Sequence, residues 1–505
     1  MKAQLTGNKS KDKYESGFAT LEILIAFSVL ILCISAVVMI TFSNQFIAID
    51  SKTSLEALSH AQSMLEKTRA DSEQDFNSVN SSTLIETSEN SEFTKRLNVL
   101  QTNLFTKEVT ASVSWQLGGR NLSTILATLL TNREAANGGD TCSSVLVGDW
   151  KNPQIESTIS FSSLPGIPAS TYVLTNVDAY QAKLYVTASK TTSATDPTFF
   201  IFDINDPSHP LLLGKIDNAS TVSTGLSAVA VANDYAYLAN AYTGSTPSCT
   251  ANNNCAQLQI VDISNAANPT LIKNIKVQES TSSGNLAAAT DVLYSKDYLY
   301  LGLVKTASGL EFNIFDISDL SNPIKVGGYS VGNGVNSILI KNDFAYIASP
   351  NTKELQILDI SDRHNPTLAG SFNSSSGGGN GKNIYLVGKK LYLGKTTGVG
   401  LDFHILDSTD PNNTLKALGG VDVGTGNSVN GVIVRDYLSF LLTNKDLKIL
   451  NTENPAAITS WSTLALPGTY DSSKSEPSMD CEGNRIFISS NNEGQGSIYI
   501  IKPGE

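Results

Sequence analysis

Hydrophobic and polar positions divide this chain into three stretches with different patterns. In the first, residues 18–40 form an apolar run that contains a single charged residue, Glu22. About 20 apolar residues are enough for a helix to cross a bilayer, so this run predicts a transmembrane helix. Beyond it, apolar side chains recur at helical spacing: Leu55, Leu58, Ala61 and Leu65. The pattern therefore predicts one continuous helix over residues 18–70.

The second stretch, residues 71–134, predicts a small β region. Residues 71–93 are rich in Ser, Asn and Glu, which favours a loop. Residues 107–132 carry strand-forming residues on both sides of Gly118-Gly119 and predict two strands joined by a turn. We expect a small antiparallel sheet here. The composition of residues 135–141 then indicates a linker.

The third stretch, residues 142–505, is built from repeats. Four segments resemble one another closely, FIFDINDPSHPLL, IVDISNAANPTLI, IFDISDLSNPIKV and ILDISDRHNPTLA. Each places an aspartate seven residues before a proline: Asp203/Pro210, Asp262/Pro269, Asp316/Pro323 and Asp359/Pro366. Looser copies contain Asp407 and Asn451, and a last one, IYIIKPGE, ends the sequence. Self-similarity of this kind is the signature of a repeat architecture.

A short strand pattern precedes every copy, for example NDYAYLAN at 233–240 and KDYLYLGL at 296–303. The sequence therefore contains seven units, and the spacings from Asp203 to Asp407 are 59, 54, 43 and 48 residues. This spacing fits a four-stranded propeller blade with loops of varying length. The expected fold is mainly β: a seven-bladed β-propeller over 142–505, preceded by a long helix and a small sheet.

The last unit lacks an outer strand. Residues 150–161, which precede the first unit, contain an Asn-Pro turn and a strand that belong to none of the seven units. We expect this strand to complete the seventh blade, because the ring then has no open edge. Cys142 precedes the strand and Cys481 lies in the seventh unit, so a disulfide between them would lock the ring. Cys249 and Cys255 would close a small surface loop.

Charge and cysteine content indicate the class of partner and the cellular compartment. The net charge of −12 disfavours nucleic-acid binding, because an acidic surface repels phosphates. Of the five cysteines, Cys33 lies in the apolar run and four lie downstream, an even number that suits disulfides in an oxidising compartment. Free thiols are the alternative. Lysines cluster before the apolar run: Lys2, Lys9, Lys11 and Lys13. The N-terminus is therefore expected in the cytoplasm and the propeller outside.

Residue types that carry catalysis are sparse. The four histidines (His60, His209, His364 and His404) lack zinc-ligand spacing, and neither a phosphate loop nor a nucleophile elbow is present. The repeated aspartates could be read as metal ligands, but an aspartate at the end of a strand more often accepts backbone N–H bonds in the following turn. We expect no metal, no cofactor and no enzymatic activity.

The N-terminus resembles that of type IV pilins and pseudopilins: a short basic leader, then Gly17-Phe18-Ala-Thr-Leu-Glu22, then an apolar helix. The resemblance implies that residues 1–17 are a leader and that prepilin peptidase cuts between Gly17 and Phe18. Phe18 would then be N-methylated, and Glu22 would be the fifth residue of the mature chain. Two rival interpretations are a secretory signal and a plain uncleaved anchor. The first lacks a good cleavage site, and the second leaves a costly membrane carboxylate unexplained.

The repeats resemble the LVIVD-repeat family of bacterial propeller proteins, which implies the fold but no particular activity. Together the two resemblances imply a minor pilin or pseudopilin in the bacterial inner membrane, whose propeller acts as a binding or adhesion head at the cell surface. Its partners would be prepilin peptidase, other pilin or pseudopilin subunits, the membrane, and an unknown protein or glycan. The alternatives are a type II secretion pseudopilin that engages exported proteins and, last, a membrane-tethered propeller enzyme.

Overall fold

A computed structural model describes most of the chain. The described residues are 16–74, 79–88, 91–103, 106–131, 141–142, 146–165, 167, 172–189, 196–216, 225–241, 256–277, 279–351, 353–374, 379–398, 400–469, 475–492 and 495–504. They fall into two compact units, the first reaching Thr131 and the second beginning at Asn132 apart from a short stretch at Asn103–Phe105. The predicted linker, 135–141, lies outside the described residues except for Thr141.

The first unit begins with one long helix, α1, from Ser16 to Gln74. It starts two residues before the predicted helix and ends four residues after it. Its segment Glu22–Phe42 has a mean hydropathy of 3.1 and none of its side chains is buried. A helix with this length and composition could be a membrane anchor or a signal sequence.

A four-stranded sheet follows, in the order β1-β2-β3-β4. Its strands are β1 (Ser82–Ser88), β2 (Ser91–Asn103), β3 (Thr106–Leu117) and β4 (Arg120–Thr131). The hairpin predicted around Gly118-Gly119 is confirmed, and both glycines have positive φ (57° and 77°), as a two-residue turn of this kind requires.

The predicted loop over residues 71–93 is wrong. Helix α1 continues to Gln74, and β1 pairs with β2 through seven residues, from Ser82↔Leu97 to Ser88↔Ser91. Strand β1 lies at the edge of the sheet, and its side chains over 82–85 are exposed. Its polar composition therefore follows from its exposure, and pairing with β2, whose Phe93 is fully buried, determines its conformation.

The four apolar residues at helical spacing do not all lie on the buried face of the helix. Leu55 is 64% exposed, whereas Ala57 and Ala61 are fully buried against the sheet beside Val109 and Val113. Small residues allow a helix to come close to a sheet, so alanine forms the centre of this face and leucine lies beside it. Leu65 is partly buried and packs against the same core.

In the part of the chain that the structure describes, the second unit consists of seven sheets, which are antiparallel except for one two-residue parallel pairing in the last of them. Two strands come before the first sheet: β5 (Thr141–Cys142) and β6 (Asp149–Ser160). Sheet 1 contains β7 (Val173–Tyr180), β8 (Lys183–Ser189), β9 (Phe199–Asp203) and β10 (Leu211–Ile216). Sheet 2 contains β11 (Leu226–Ala232), β12 (Tyr235–Asn240), β13 (Leu258–Asp262) and β14 (Thr270–Ile275). Sheet 3 contains β15 (Ala289–Ser295), β16 (Tyr298–Leu303), β17 (Phe312–Asp316) and β18 (Ile324–Tyr329).

The remaining sheets repeat this order. Sheet 4 contains β19 (Ser337–Lys341), β20 (Phe344–Ala348), β21 (Leu355–Asp359) and β22 (Thr367–Phe372). Sheet 5 contains β23 (Gly381–Val387), β24 (Lys390–Lys395), β25 (Phe403–Asp407) and β26 (Lys416–Val421). Sheet 6 contains β27 (Val429–Arg435), β28 (Leu438–Thr443), β29 (Asp446–Asn451) and β30 (Thr459–Ala465). Sheet 7 contains β31 (Ser478–Gly483), β32 (Arg485–Ser490) and β33 (Ser497–Gly504), joined by β6 and β5.

Burial varies across each sheet. The second and third strands are buried on both faces, as in β16 and β17, whereas the fourth strands are mostly exposed or half-buried. The reason is that neighbouring sheets pack on both faces. One core cluster joins Tyr237 and Leu258 of sheet 2 to Leu299 and Phe315 of sheet 3. Continuous apolar runs in the second and third strands of the repeats follow from this packing.

The first strands of the seven described sheets lie side by side in chain order, and β31 of sheet 7 lies next to β7 of sheet 1. The sheets therefore form a closed, propeller-like cycle around these inner strands. As predicted, the strand near residue 150 pairs with the last strand, from Ser497↔Ser160 to Gly504↔Asp149. The strand already begins at Asp149, so Asn152-Pro153 lies at an irregularity within it and not in a preceding turn.

Candidate functional site in the central channel

The repeated aspartates form the turns that end the third strands. In each case Oδ1 accepts a hydrogen bond from the backbone N–H two residues later, at 2.9 Å for Asp203, Asp262, Asp316, Asp359 and Asp407. The Ser264 hydroxyl and then its N–H lower the pKa of Asp262, and those of Ser361 do the same for Asp359. The turn-forming role predicted from sequence is confirmed. Among the described residues, no group of acidic, His or Cys side chains could hold a metal ion.

A second repeated position was missed by the sequence analysis. In sheets 2 to 5 the residue five positions before the repeat aspartate, at the start of the third strand, has a buried amide or carboxyl side chain: Gln257, Glu311, Glu354 and Asp402. Each accepts the backbone N–H of a residue about 20 positions later: Val277, Val331, Ser374 and Val423, at 2.8 to 3.3 Å. These bonds hold the end of the fourth strand. The constant offset from the aspartate would have revealed the position.

Glu354 also forms a buried ion pair. Its Oε1 lies 3.1 Å from Nζ of Lys395, and the two side chains are 4% and 1% exposed. The Ser374 hydroxyl lies 2.5 Å from both groups. Because the carboxylate compensates the buried ammonium, we assign Lys395 a structural role. His404 lies nearby, where burial and then Lys395 lower its pKa to about 4.

Side chains of the inner strands connect neighbouring sheets. Asp480 accepts the N–H of Ala179 at 2.6 Å, and Asp178 accepts that of Val231 at 2.7 Å. Two further bonds of the same kind join Asp291 to Ile338 at 2.7 Å and Asn383 to Val432 at 3.0 Å. Burial raises the pKa of Asp291 to about 7, although the N–H groups of Ile338 and Val292 favour the carboxylate. These acidic and amide side chains therefore hold the cycle of sheets together.

Two adjoining cavities lie among the inner strands. The first, of about 300 Å3, is lined by polar side chains at the beginnings of these strands, and we call it the polar cavity. The second, of about 290 Å3, is lined mainly by Val, Ile and Leu side chains further along the same strands. Asn176, Asp291, Asn383 and Met479 line both. The central channel is thus polar at one end and more apolar beyond it.

In five described sheets, the pairing of the first and second strands shifts at a single polar residue that lines the polar cavity. These bulge residues are Thr175, Ser227, Thr290, Lys382 and Asn430. A β-bulge leaves one residue unpaired and redirects its side chain, and bulges are common beside functional sites. Lys382, the only charged member of this set, is paired with Glu476. The polar cavity is the best candidate for a binding site in this unit.

The predicted processing residues lie together at the start of α1. Gly17 and Phe18 belong to its first turn, and the carboxylate-bearing Glu22 is exposed. Cys142 and Cys481 are joined in a disulfide with their Cα atoms 5.1 Å apart, next to the pairing of β5 with β31. Cys249 and Cys255 lie outside the described residues, so their pairing stays a prediction. Cys33 is exposed on α1 and has no disulfide.

Comparison with known proteins gives one family. The LVIVD repeat matches residues 194–218, 251–277, 288–331 and 333–374. The chain contains LVIVD repeats. The matches cover the four closest copies of the Asp/Pro pattern and not the looser ones after residue 374, and they are consistent with a β-propeller. No curated protein matches the chain.

Two solved structures are similar to the chain. One is described as the crystal structure of the N-terminal domain of Nup159, with a TM-score of 0.37 and 11% identity over 72% of this chain and 98% of that one. The other is described as the AfRom2 CNH domain, with a TM-score of 0.40 and 9% identity over 69% of this chain and 98% of that one.

Proposed function

We propose that this LVIVD-repeat protein is a non-catalytic minor pilin or pseudopilin that displays a seven-bladed β-propeller outside the cell as a binding head. Prepilin peptidase removes residues 1–17, and Phe18 becomes the methylated N-terminus. The mature chain sits in the bacterial inner membrane with its N-terminus at the cytoplasmic side and then enters a pilus or pseudopilus.

The observation that carries the proposal is the carboxylate of Glu22 at the start of the apolar part of α1. The side chains over Glu22–Phe42 are all exposed, so a membrane or neighbouring helices must cover them. A charged side chain at the centre of a spanning helix costs about 2.5–3.5 kcal/mol; at the end of the span, where Glu22 lies, the cost is smaller but still favours a partner. Cleavage after Gly17 creates an α-amine at Phe18, and the amine of a neighbouring subunit can compensate Glu22 in a packed filament.

The rest of the first unit supports this assignment. Helix α1 runs for 59 residues without interruption, and its second half packs on an antiparallel sheet through Ala57 and Ala61. A long helix that is exposed in its N-terminal half and packed on a sheet in its C-terminal half resembles the body of a pilin subunit. The resemblance to pilins therefore covers both the N-terminal sequence motif and the fold of the first unit.

The second unit supports a display role. Its seven described sheets close into a cycle, and the disulfide between Cys142 and Cys481 suits an oxidising compartment. We interpret the sheets as seven propeller blades. A domain of this size on every subunit would crowd a filament, which favours low copy number or a position at the tip.

The test is mass spectrometry of the N-terminal peptide of the mature protein from its native host, together with filament purification. We expect a methylated Phe18, and we expect Glu22→Gln to remove the protein from filaments, because the amine loses its partner. Glu66→Gln, a matched change on the exposed part of the same helix, is the control and should not alter incorporation. An N-terminus at Met1, a cut beyond residue 40, or normal incorporation of E22Q would contradict the proposal.

A further inference from the structure

The polar cavity has features that ring closure alone does not require. Two polar atoms in its wall, Oγ1 of Thr290 and Oδ1 of Asn430, are buried and have no hydrogen-bond partner among the described residues. Asn430 as a whole is 8% exposed. An unpaired buried polar atom destabilises a fold, so a hydrogen-bonding ligand in this cavity would offset a cost that the free protein bears at these two residues.

The amide side chains add donors. Oδ1 of Asn383 accepts the N–H of Val432 at 3.0 Å, and Oδ1 of Asn176 accepts that of Val229 at 3.4 Å. With the oxygen held in this way, the Nδ2 group of each amide is left for the cavity, and within the described structure neither Nδ2 has a partner. The cavity is therefore lined by two residues with Nδ2 donors, Asn176 and Asn383, and by two residues with an unpaired oxygen, Thr290 and Asn430.

Charge and size define the ligand further. The Lys382 ammonium is compensated by Glu476, so the bulge residues offer neutral contacts and no net positive charge. An anion is disfavoured by the −12 net charge of the chain. A volume of about 300 Å3 is at the lower end of the range for ligand cavities, and the donors surround the space and do not follow a groove, which disfavours an extended peptide.

We propose that the polar cavity binds one neutral saccharide unit, with Thr290, Asn383, Asn176 and Asn430 as hydrogen-bonding residues. Saccharide hydroxyl groups both donate and accept, as this mixture of neutral partners requires. The proposal rests on the binding role proposed above and names the ligand class for it.

Asn383→Asp is the most informative variant. The carboxylate can still accept the N–H of Val432, just as Asp291 accepts that of Ile338 at the equivalent position of sheet 3. The change therefore keeps the bond between sheets, replaces the amide donor by a second oxygen and adds an ionisable carboxyl group, which the control below adds as well. Thr290→Val is a second variant, which removes an unpaired hydroxyl and is expected to leave folding intact.

The matched control is Asn265→Asp. Oδ1 of Asn265 accepts the N–H of Ala267 at 3.2 Å in a turn where other sheets have aspartate, such as Asp319. This turn follows the last residue of a third strand. First and third strands run in the same direction, so the turn lies at the edge of the sheet where the first strand finishes. The polar cavity lies at the opposite edge, where the first strands begin. The control thus makes the same chemical change at the opposite end.

The full chain in detergent micelles is titrated with glucose, galactose, mannose and N-acetylglucosamine, and binding is measured by saturation-transfer NMR. We expect at least one sugar to bind saturably in the millimolar range. We expect N383D and T290V to weaken that affinity about three- to tenfold, the loss of one hydrogen bond, and N265D to leave it unchanged. Circular dichroism establishes that each variant is folded.

Absence of binding of all four sugars, or equal binding by wild type, N383D and T290V, would overturn this site. The sugar-binding result can be distinguished from the result of the test of the pilin role. Sugar binding by a protein whose N-terminus is not processed would support the site and refute the pilin role, and a methylated Phe18 without sugar binding would do the reverse.

Discussion

The buried pair of Glu354 and Lys395 gives a quantitative prediction about stability. Both side chains are nearly inaccessible, at 4% and 1%, and their charged atoms are 3.1 Å apart. In Glu354→Gln the ammonium of Lys395 stays buried without a counter-charge. Breaking a buried pair by removing one partner costs about 3–5 kcal/mol, most of it the desolvated remaining charge. We therefore expect E354Q to lose about 3–5 kcal/mol of unfolding free energy.

The double variant E354Q/K395M separates the charge effect from lost packing. Since methionine needs no counter-charge, the double variant should be more stable than E354Q, with a coupling energy of about 2 kcal/mol or more. The control is the pair Asp446 and Lys448, in which Asp446 occupies the position of Glu354 in sheet 6. Its atoms are 3.3 Å apart and its side chains are 18% and 23% exposed. Water screens this pair better, so D446N and K448M should couple by about 1 kcal/mol or less.

The assay is urea unfolding of the full chain in detergent, followed by tryptophan fluorescence and far-UV circular dichroism. Trp150 and Trp461 both report on the second unit, because they lie in β6 and β30. If E354Q costs no more than D446N, or if the coupling of the two pairs is equal, the assignment of Lys395 as a buried cation that depends on Glu354 is wrong.

Two further predictions concern the same unit. The pKa of Asp291 is raised to about 7 in the folded protein, so folding favours the protonated form of this carboxyl group. The stabilisation that it contributes is fully present below about pH 4, the pKa of an aspartate in the unfolded chain. It is lost as the pH rises through about 7. Asp291→Asn, which resembles the neutral acid, should therefore gain stability relative to wild type between pH 5 and pH 8 in urea titrations, and a difference independent of pH would contradict the raised pKa. Removal of the disulfide with Cys142→Ser, which opens a loop of 339 residues, should cost about 2–5 kcal/mol. Cys33→Ser is the control, since it should not change stability, and peptide mapping with and without reduction tests the bond directly.

The sequence predicted the repeats well because their signals are local. Each third strand ends in an aspartate that bonds its own turn, as Asp316 bonds the N–H of Ser318 at 2.9 Å, and such a contact needs only neighbouring residues. The pairing of β6 with β33 was predicted for a different reason, since an outer strand was missing at one end of the sequence and present without a unit at the other.

Features that depend on distant contacts were not predicted. Strand β1 has the composition of a loop, and only its partner β2 makes it a strand. The wrong assignment of Leu55 to the helix face has a similar origin, because spacing alone cannot distinguish a leucine beside the contact from an alanine at its centre. The polar cavity is formed by bulge residues from five sheets, such as Thr290 and Lys382, which have no common residue type that a single sequence could reveal.

The closure of sheet 7 also has a mechanical consequence. Tension that reaches the second unit from its N-terminal side arrives first at residues 141–142, directly beside the Cys142–Cys481 bond. The load therefore passes into β31 through a covalent link as well as through the pairing of β5 with β31, and it reaches β31 before β6. Without the disulfide, only the two-residue pairing of β5 with β31 would stand between that load and β6.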